Sequence, residues 1–126
     1  MSTTSYYDNL LVTMPPGLDR AIVQVLKFHI GKERAIKKAD FLKALKNLGF
    51  TPHERQLRDM IADMRLKGWM IGSLSAEGYY FCSTRAEYDE FRAELQARKN
   101  AIAATLTALD SAARARWGEG AQIGLL

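Results

Sequence analysis

Apolar side chains recur at helical spacing in three successive stretches of the chain, and the period then changes. Ile22, Val25 and Leu26 mark one face of a helix running from Leu18 to about His29, which Gly31 ends. Arg34-Ala35-Ile36 reads as a short strand. Phe41, Leu42, Leu45 and Leu48 form the inward stripe of a second helix, which begins at Lys38 or Ala39 and closes at Gly49. Leu57, Ile61 and Met64, with Met60 at the margin, give a third helix its inner face, and Gly68 stops it. Its start is marked by Thr51-Pro52-His53-Glu54: Thr51 can accept from the open amides of the next turn, Glu54 can reach back to Thr51, and Pro52 suits the first helical position. Trp69 to Gly72 and Tyr79 to Cys82 are rich in aromatic and β-prone residues around a polar stretch from Ser73 to Gly78, so a β-hairpin follows. Thr84 and Glu87 then form a second capping box. The helix they open meets no Gly or Pro before Trp117, a length of about 50 Å.

This order predicts a mainly α (α+β) fold. Three helices with a tight, Gly49-containing turn (Asn47 to Thr51) before the third, and then a hairpin, make a winged helix-turn-helix over residues 18–83. Residues 84–117 form the long C-terminal helix. Residues 1–17 read as a leader ending in Met14-Pro15-Pro16-Gly17, with Leu10, Leu11 and Val12 packing on the domain. Residues 118–126 read as a glycine-containing flexible tail.

Charge sharpens this picture. The chain of 126 residues carries a formal +4. Residues 18–82 hold twelve Lys/Arg against seven Asp/Glu, residues 83–126 hold six against six, and residues 1–17 contain only Asp8. The positive charge therefore sits in the middle segment, as expected of a domain that meets a polyanion, or of a soluble protein with uneven surface charge. No stretch approaches the ~18 uninterrupted apolar residues of a membrane span, and Met1 to Asp8 lacks the pattern of a secretory signal. Cys82 stands alone, which suits a reducing cytoplasm.

The third helix and the hairpin carry a resemblance. Arg55, Arg58, Ile61, Met64-Arg65 and Gly68, then Ile71 and Ser73, then Gly78-Tyr79, are spaced as in the small winged-helix proteins of bacterial phages and prophages. The Thr84-to-Glu87 helix start also resembles their continuation. Met64 stands where those proteins usually carry Leu, and the similarity spans roughly residues 18–115. It implies binding of double-stranded DNA, in a bacterial cytoplasm or a phage-infected host, by a transcription regulator or a replication accessory factor.

A helical wheel assigns roles. With Leu57 inward, Arg55, Asp59, Ala62 and Leu66 point outward, Arg58 and Arg65 lie on one flank, and Gln56, Asp63 and Lys67 on the other. Arg55 and Gln56, near the helix start, are the expected base readers, since Arg pairs bidentately with guanine and Gln with adenine. Arg58 assists, and His53 is a further candidate base contact. Expected phosphate contacts are Arg34, Lys37, Lys38, Lys43 and Lys46 before the turn, Arg65 and Lys67 late in the third helix, and Ser73 and Ser75 in the hairpin. Helix-surface ion pairs for the arginines, and a solvated face for the lysines, remain the alternatives. Asp59 is the residue that argues most against a phosphate-facing helix. The hairpin tip lacks Lys or Arg and carries Glu77, so Trp69, Ile71, Tyr79 and Phe81 are expected mainly to cover the core.

In the last helix Tyr88, Leu95, Ile102 and Leu109 recur every seven residues, with Phe91 and Leu106 beside them. They are the expected interface of a homodimer, the alternative being that the helix folds back on its own domain. No zinc-ligand spacing, phosphate-binding glycine loop or catalytic motif is present in the sequence; His29 and His53 are its only histidines, and His29 is expected to pack rather than react. The expectation is a non-enzymatic protein with no cofactor, membrane or small-molecule partner. Its rival is a winged helix that docks an acidic protein instead of DNA.

Overall fold

A computed structural model describes residues 3–74 and 78–118. The elements are α1 (Thr3–Thr13), α2 (Leu18–Leu26), a single 3-10 turn (Lys32–Arg34), β1 (Ile36–Lys37), α3 (Lys38–Asn47), α4 (Glu54–Leu66), β2 (Ile71–Leu74), β3 (Gly78–Phe81) and α5 (Arg85–Trp117). The class is α+β: helices and one small antiparallel sheet in the order β1-β3-β2. Ile36 pairs with Tyr79, and Ile71 with Phe81. The chain divides into two compact units, residues 1–91 and 92–126, so α5 contributes its first turns to one unit and the rest to the other.

The core of the first unit is the set that helical periodicity selects. Ile22, Leu26, Phe41, Leu45, Leu57, Ile61 and Met64 are buried, joined by Ile71 and Phe81 from the sheet. Each such side chain contributes about 1.5–3 kcal/mol by leaving water. Trp69 and Tyr79 pack partly buried against this cluster.

Several boundaries depart from expectation. The expected strand Arg34-Ala35-Ile36 is instead the end of the 3-10 turn followed by β1 at Ile36–Lys37, and three further departures have a local reason. α2 stops at Leu26 rather than His29, because the chain turns away to pair with β3. Phe81 N–H donates to the His29 carbonyl at 2.9 Å, and Gly31 N–H donates to the Phe81 carbonyl at 2.8 Å. Leu48 is exposed, and Phe50 packs inward in its place. Gly49, at φ +91°, reverses the chain there, so that Phe50 N–H donates to the Leu45 carbonyl at 2.9 Å. Residues read as a leader form α1, ending before Pro15. Tyr7 and Leu11 are buried while Val12 is exposed. The Tyr7 ring stacks on Phe81 at 4.1 Å between centroids, and Trp69 stacks on Phe81 at 6.1 Å.

In the second unit α5 continues as regular helix to Trp117, and Gly118 follows at φ +82°. The remainder of the expected tail, residues 119–126, lies outside the described residues.

Candidate nucleic-acid interface

α4 starts two residues later than the sequence suggests. Its N-cap is His53, not Thr51, and the cap comes from Gln56, whose Oε1 accepts the His53 N–H at 2.7 Å. Glu54, expected to bond back to Thr51, instead faces Lys38 Nζ at 3.4 Å, joining the start of α3 to the start of α4. Pro52 therefore lies in the turn. The short connection leaves α4 held by one apolar face, with Leu57, Ile61 and Met64 buried.

The remaining surface of α4 is electrically divided. Arg55 and Arg58 are exposed and make no ion pair with any described residue. At 100° per residue Arg58, Ala62 and Arg55 follow one another around the outward face, and Asp59, Asp63 and Gln56 continue it, with Asp59 only about 40° from Arg55. That second part of the face borders an open groove of about 520 Å³ lined by Leu18, Phe50, Thr51, Pro52, Gln56, Asp59, Met60 and Asp63. Asp59 thus belongs to a carboxylate edge beside Asp63. The wheel places both aspartates; the groove they share depends on Leu18 and Phe50, which the fold brings beside them.

Around α4 the expected phosphate contacts separate. Lys37, Lys43 and Lys46 are exposed, as is Arg34 in the 3-10 turn, whose carbonyl meets His29 Nδ1 at 2.7 Å. Lys38 is half-buried and engaged with Glu54. Lys67 is exposed at the C-cap of α4. Ser73 is half-buried in β2, paired with Tyr79, and Ser75 lies outside the described residues, as does Glu77.

Arg65 is a structural clamp, contrary to the expected phosphate role. Its Nε donates to the Ile71 carbonyl at 2.8 Å, and its guanidinium lies 4.9 Å over the Phe91 ring. Phe91, 6% exposed, is accordingly taken up inside its own chain and not left for a second subunit. Tyr88 is half-buried beneath Arg85, 5.5 Å from its ring. Leu95, Ile102, Leu106 and Leu109 are exposed.

Glu87 joins the first turn of α5 to the loop after α2. Its N–H donates to Thr84 Oγ1 at 3.1 Å, the expected half of the box. Its carboxylate does not return to Thr84 but accepts from Ser83 N–H at 2.9 Å, Ser83 Oγ at 3.0 Å and Lys32 N–H at 2.9 Å. Burial works to raise the Glu87 pKa, yet these donors and the Lys32 charge outweigh it and hold the carboxyl below its ordinary value. Lys32 Nζ also pairs with Glu90. Periodicity gives no sign of this junction, because its partners are more than fifty residues apart in sequence.

Among the described residues no cluster of His, Cys, Asp and Glu suits a metal ion, and no helix is long and apolar enough to cross a membrane. Burial, the largest cause, and the Glu87 charge push the Cys82 thiol up, which disfavours the reactive thiolate. Compared with family models, curated proteins and solved structures, the chain finds no match in any of the three.

Proposed function

We propose that this chain is a dimeric double-stranded DNA-binding protein, with α2, α3 and α4 as a helix-turn-helix, β2 and β3 as its wing, and α4 laid in the major groove. The observation that carries the reading is the exposed Arg55–Arg58 side of a capped helix whose opposite side is fully committed to the core. The element order α2-β1-α3-α4-β2-β3 supports it. So does the concentration of positive charge in residues 18–82. Arg55 and Arg58 read bases. Lys37, Lys43, Lys46, Arg34 and Lys67 supply phosphate contacts, and the exposed α5 stripe supplies the dimer. The closest functional description is a phage-type transcription regulator or replication accessory factor of the bacterial cytoplasm, without catalytic activity.

Titration of labelled random duplex at rising salt tests the reading. Binding is expected at ~50 mM salt and should fall steeply with log salt as counterions are released. No binding at ~50 mM would overturn it. A second reading, a winged helix that docks another protein, is favoured by one feature: the apolar groove edged by Asp59 and Asp63. Under that reading duplex binding is absent and Asp59→Asn changes partner affinity.

A further inference from the structure

Within the second unit the spacing of the α5 stripe from Ile102 to Leu109 is the same in both directions, with Thr105 its one polar member. Ile102, Thr105, Leu106 and Leu109 lie on one side of the helix. Reversing the chain about the point midway between Thr105 and Leu106 exchanges Ile102 with Leu109 and Thr105 with Leu106. These four residues and Ala101 line a shallow apolar furrow. Ile102, Leu106 and Leu109 are 69%, 59% and 61% exposed. A face with this symmetry matches a second copy of itself turned end for end.

Charge decides between the two directions of pairing. Arg98 and Lys99 interrupt the stripe between Leu95 and Ile102. Two parallel copies in register would set four cations at one level of an apolar seam, with Glu94 beside Glu94 and Arg116 beside Arg116. In the reversed arrangement Arg98 and Lys99 lie level with Ala113 and Ala112 of the second copy, whose small side chains leave room for the long stems. The two cationic pairs are then about 20 Å apart along the helix, beyond the ~8 Å over which exposed charges interact at physiological salt. The same reversal brings Glu94 within one residue of Arg116, and Leu95 within one residue of the exposed Trp117.

We propose that residues 94–117 of α5 pair antiparallel with the same segment of a second copy, about a two-fold axis between Thr105 and Leu106. This rests on the dimer reading above and adds its direction and register. A full-length chain carrying Cys82→Ser and Arg92→Cys, labelled with a nitroxide at position 92, tests it by pulsed electron–electron spectroscopy. Arg92 is exposed and outside the seam. The antiparallel pair predicts about 40 Å between labels, whereas parallel helices 8–10 Å apart would hold them within about 25 Å. The short distance in a species of dimeric mass would overturn the orientation and leave the dimer standing. A monomer in sedimentation at high micromolar concentration would overturn both.

Discussion

Glu87 is one side chain with three donors on its carboxylate. Glu87→Ala should cost about 1–3 kcal/mol in urea denaturation, because the Lys32 and Ser83 amides lose their acceptor. The folded pKa lies below the unfolded one, so this stabilisation is complete above the ordinary carboxyl range and is lost as pH falls through the folded value. Glu87→Gln should flatten that acidic limb. Tyr7 shows the opposite sign. Burial, with smaller contributions from Tyr6 and Cys82, pushes its phenol up to about 12 from 10.0, so stability should fall as pH rises from the ordinary value to the raised one. Tyr7→Phe should remove that alkaline loss while keeping the ring stack, as thermal melts across this range would show. At Gly78 an added Cβ would lie 2.6 Å from the Ile36 carbonyl oxygen, a backbone atom of β1. Gly78→Ala should therefore break the β1–β3 pairing and destabilise the fold by about 1–3 kcal/mol. The long-range neighbours of these residues, Lys32 for Glu87, Phe81 for Tyr7 and Ile36 for Gly78, carry no warning in sequence, because only the fold supplies them.

At the scale of elements, α4 shows what periodicity can and cannot deliver. Its buried face, Leu57, Ile61 and Met64, is legible from spacing alone. Its cap is not, since Thr51/Glu54 and His53/Gln56 offer two registers for the same start. The choice falls to the turn after Gly49 and to the Lys38–Glu54 pair. That shift gives Gln56 two candidate duties, helix cap and base reader, and one substitution separates them. Gln56→Glu keeps an acceptor for the His53 amide and should leave the melting temperature within about 2 °C, as expected of a cap that is retained. It also replaces the amide donor with a negative charge, and duplex affinity should drop at least tenfold if Gln56 meets DNA. α1 is equally legible by spacing, although residues 1–17 read as a leader. Tyr7, Leu10, Leu11 and Met14 follow the i, i+3, i+4, i+7 pattern of a helix, and the terminal Pro-Pro obscured it. Arg65 marks the limit of the wheel, which locates a side chain on a flank but not the strand or ring already waiting there.

For the whole molecule, the separation of charge between segments is the feature the sequence shows most directly, and it carries into two kinds of surface. One unit exposes cations around α4, and the other exposes an apolar stripe on α5. Ile102→Glu with Leu109→Glu should abolish a dimer without unfolding the first unit, since both residues lie in the second. Sedimentation should then show a single chain mass, with an unchanged near-ultraviolet signal from the Tyr7–Phe81–Trp69 stack.

The divided surface of α4 has a consequence for approach. A rod whose guanidinium edge lies about a quarter turn from its carboxylate edge has a preferred roll toward any polyanion: turning by that angle replaces attraction with repulsion. On the DNA-binding proposal, Asp59 and Asp63 would act as a rejection device, discarding mis-rolled encounters before any short-range bond forms. Neutralising them should increase indiscriminate sticking more than productive binding.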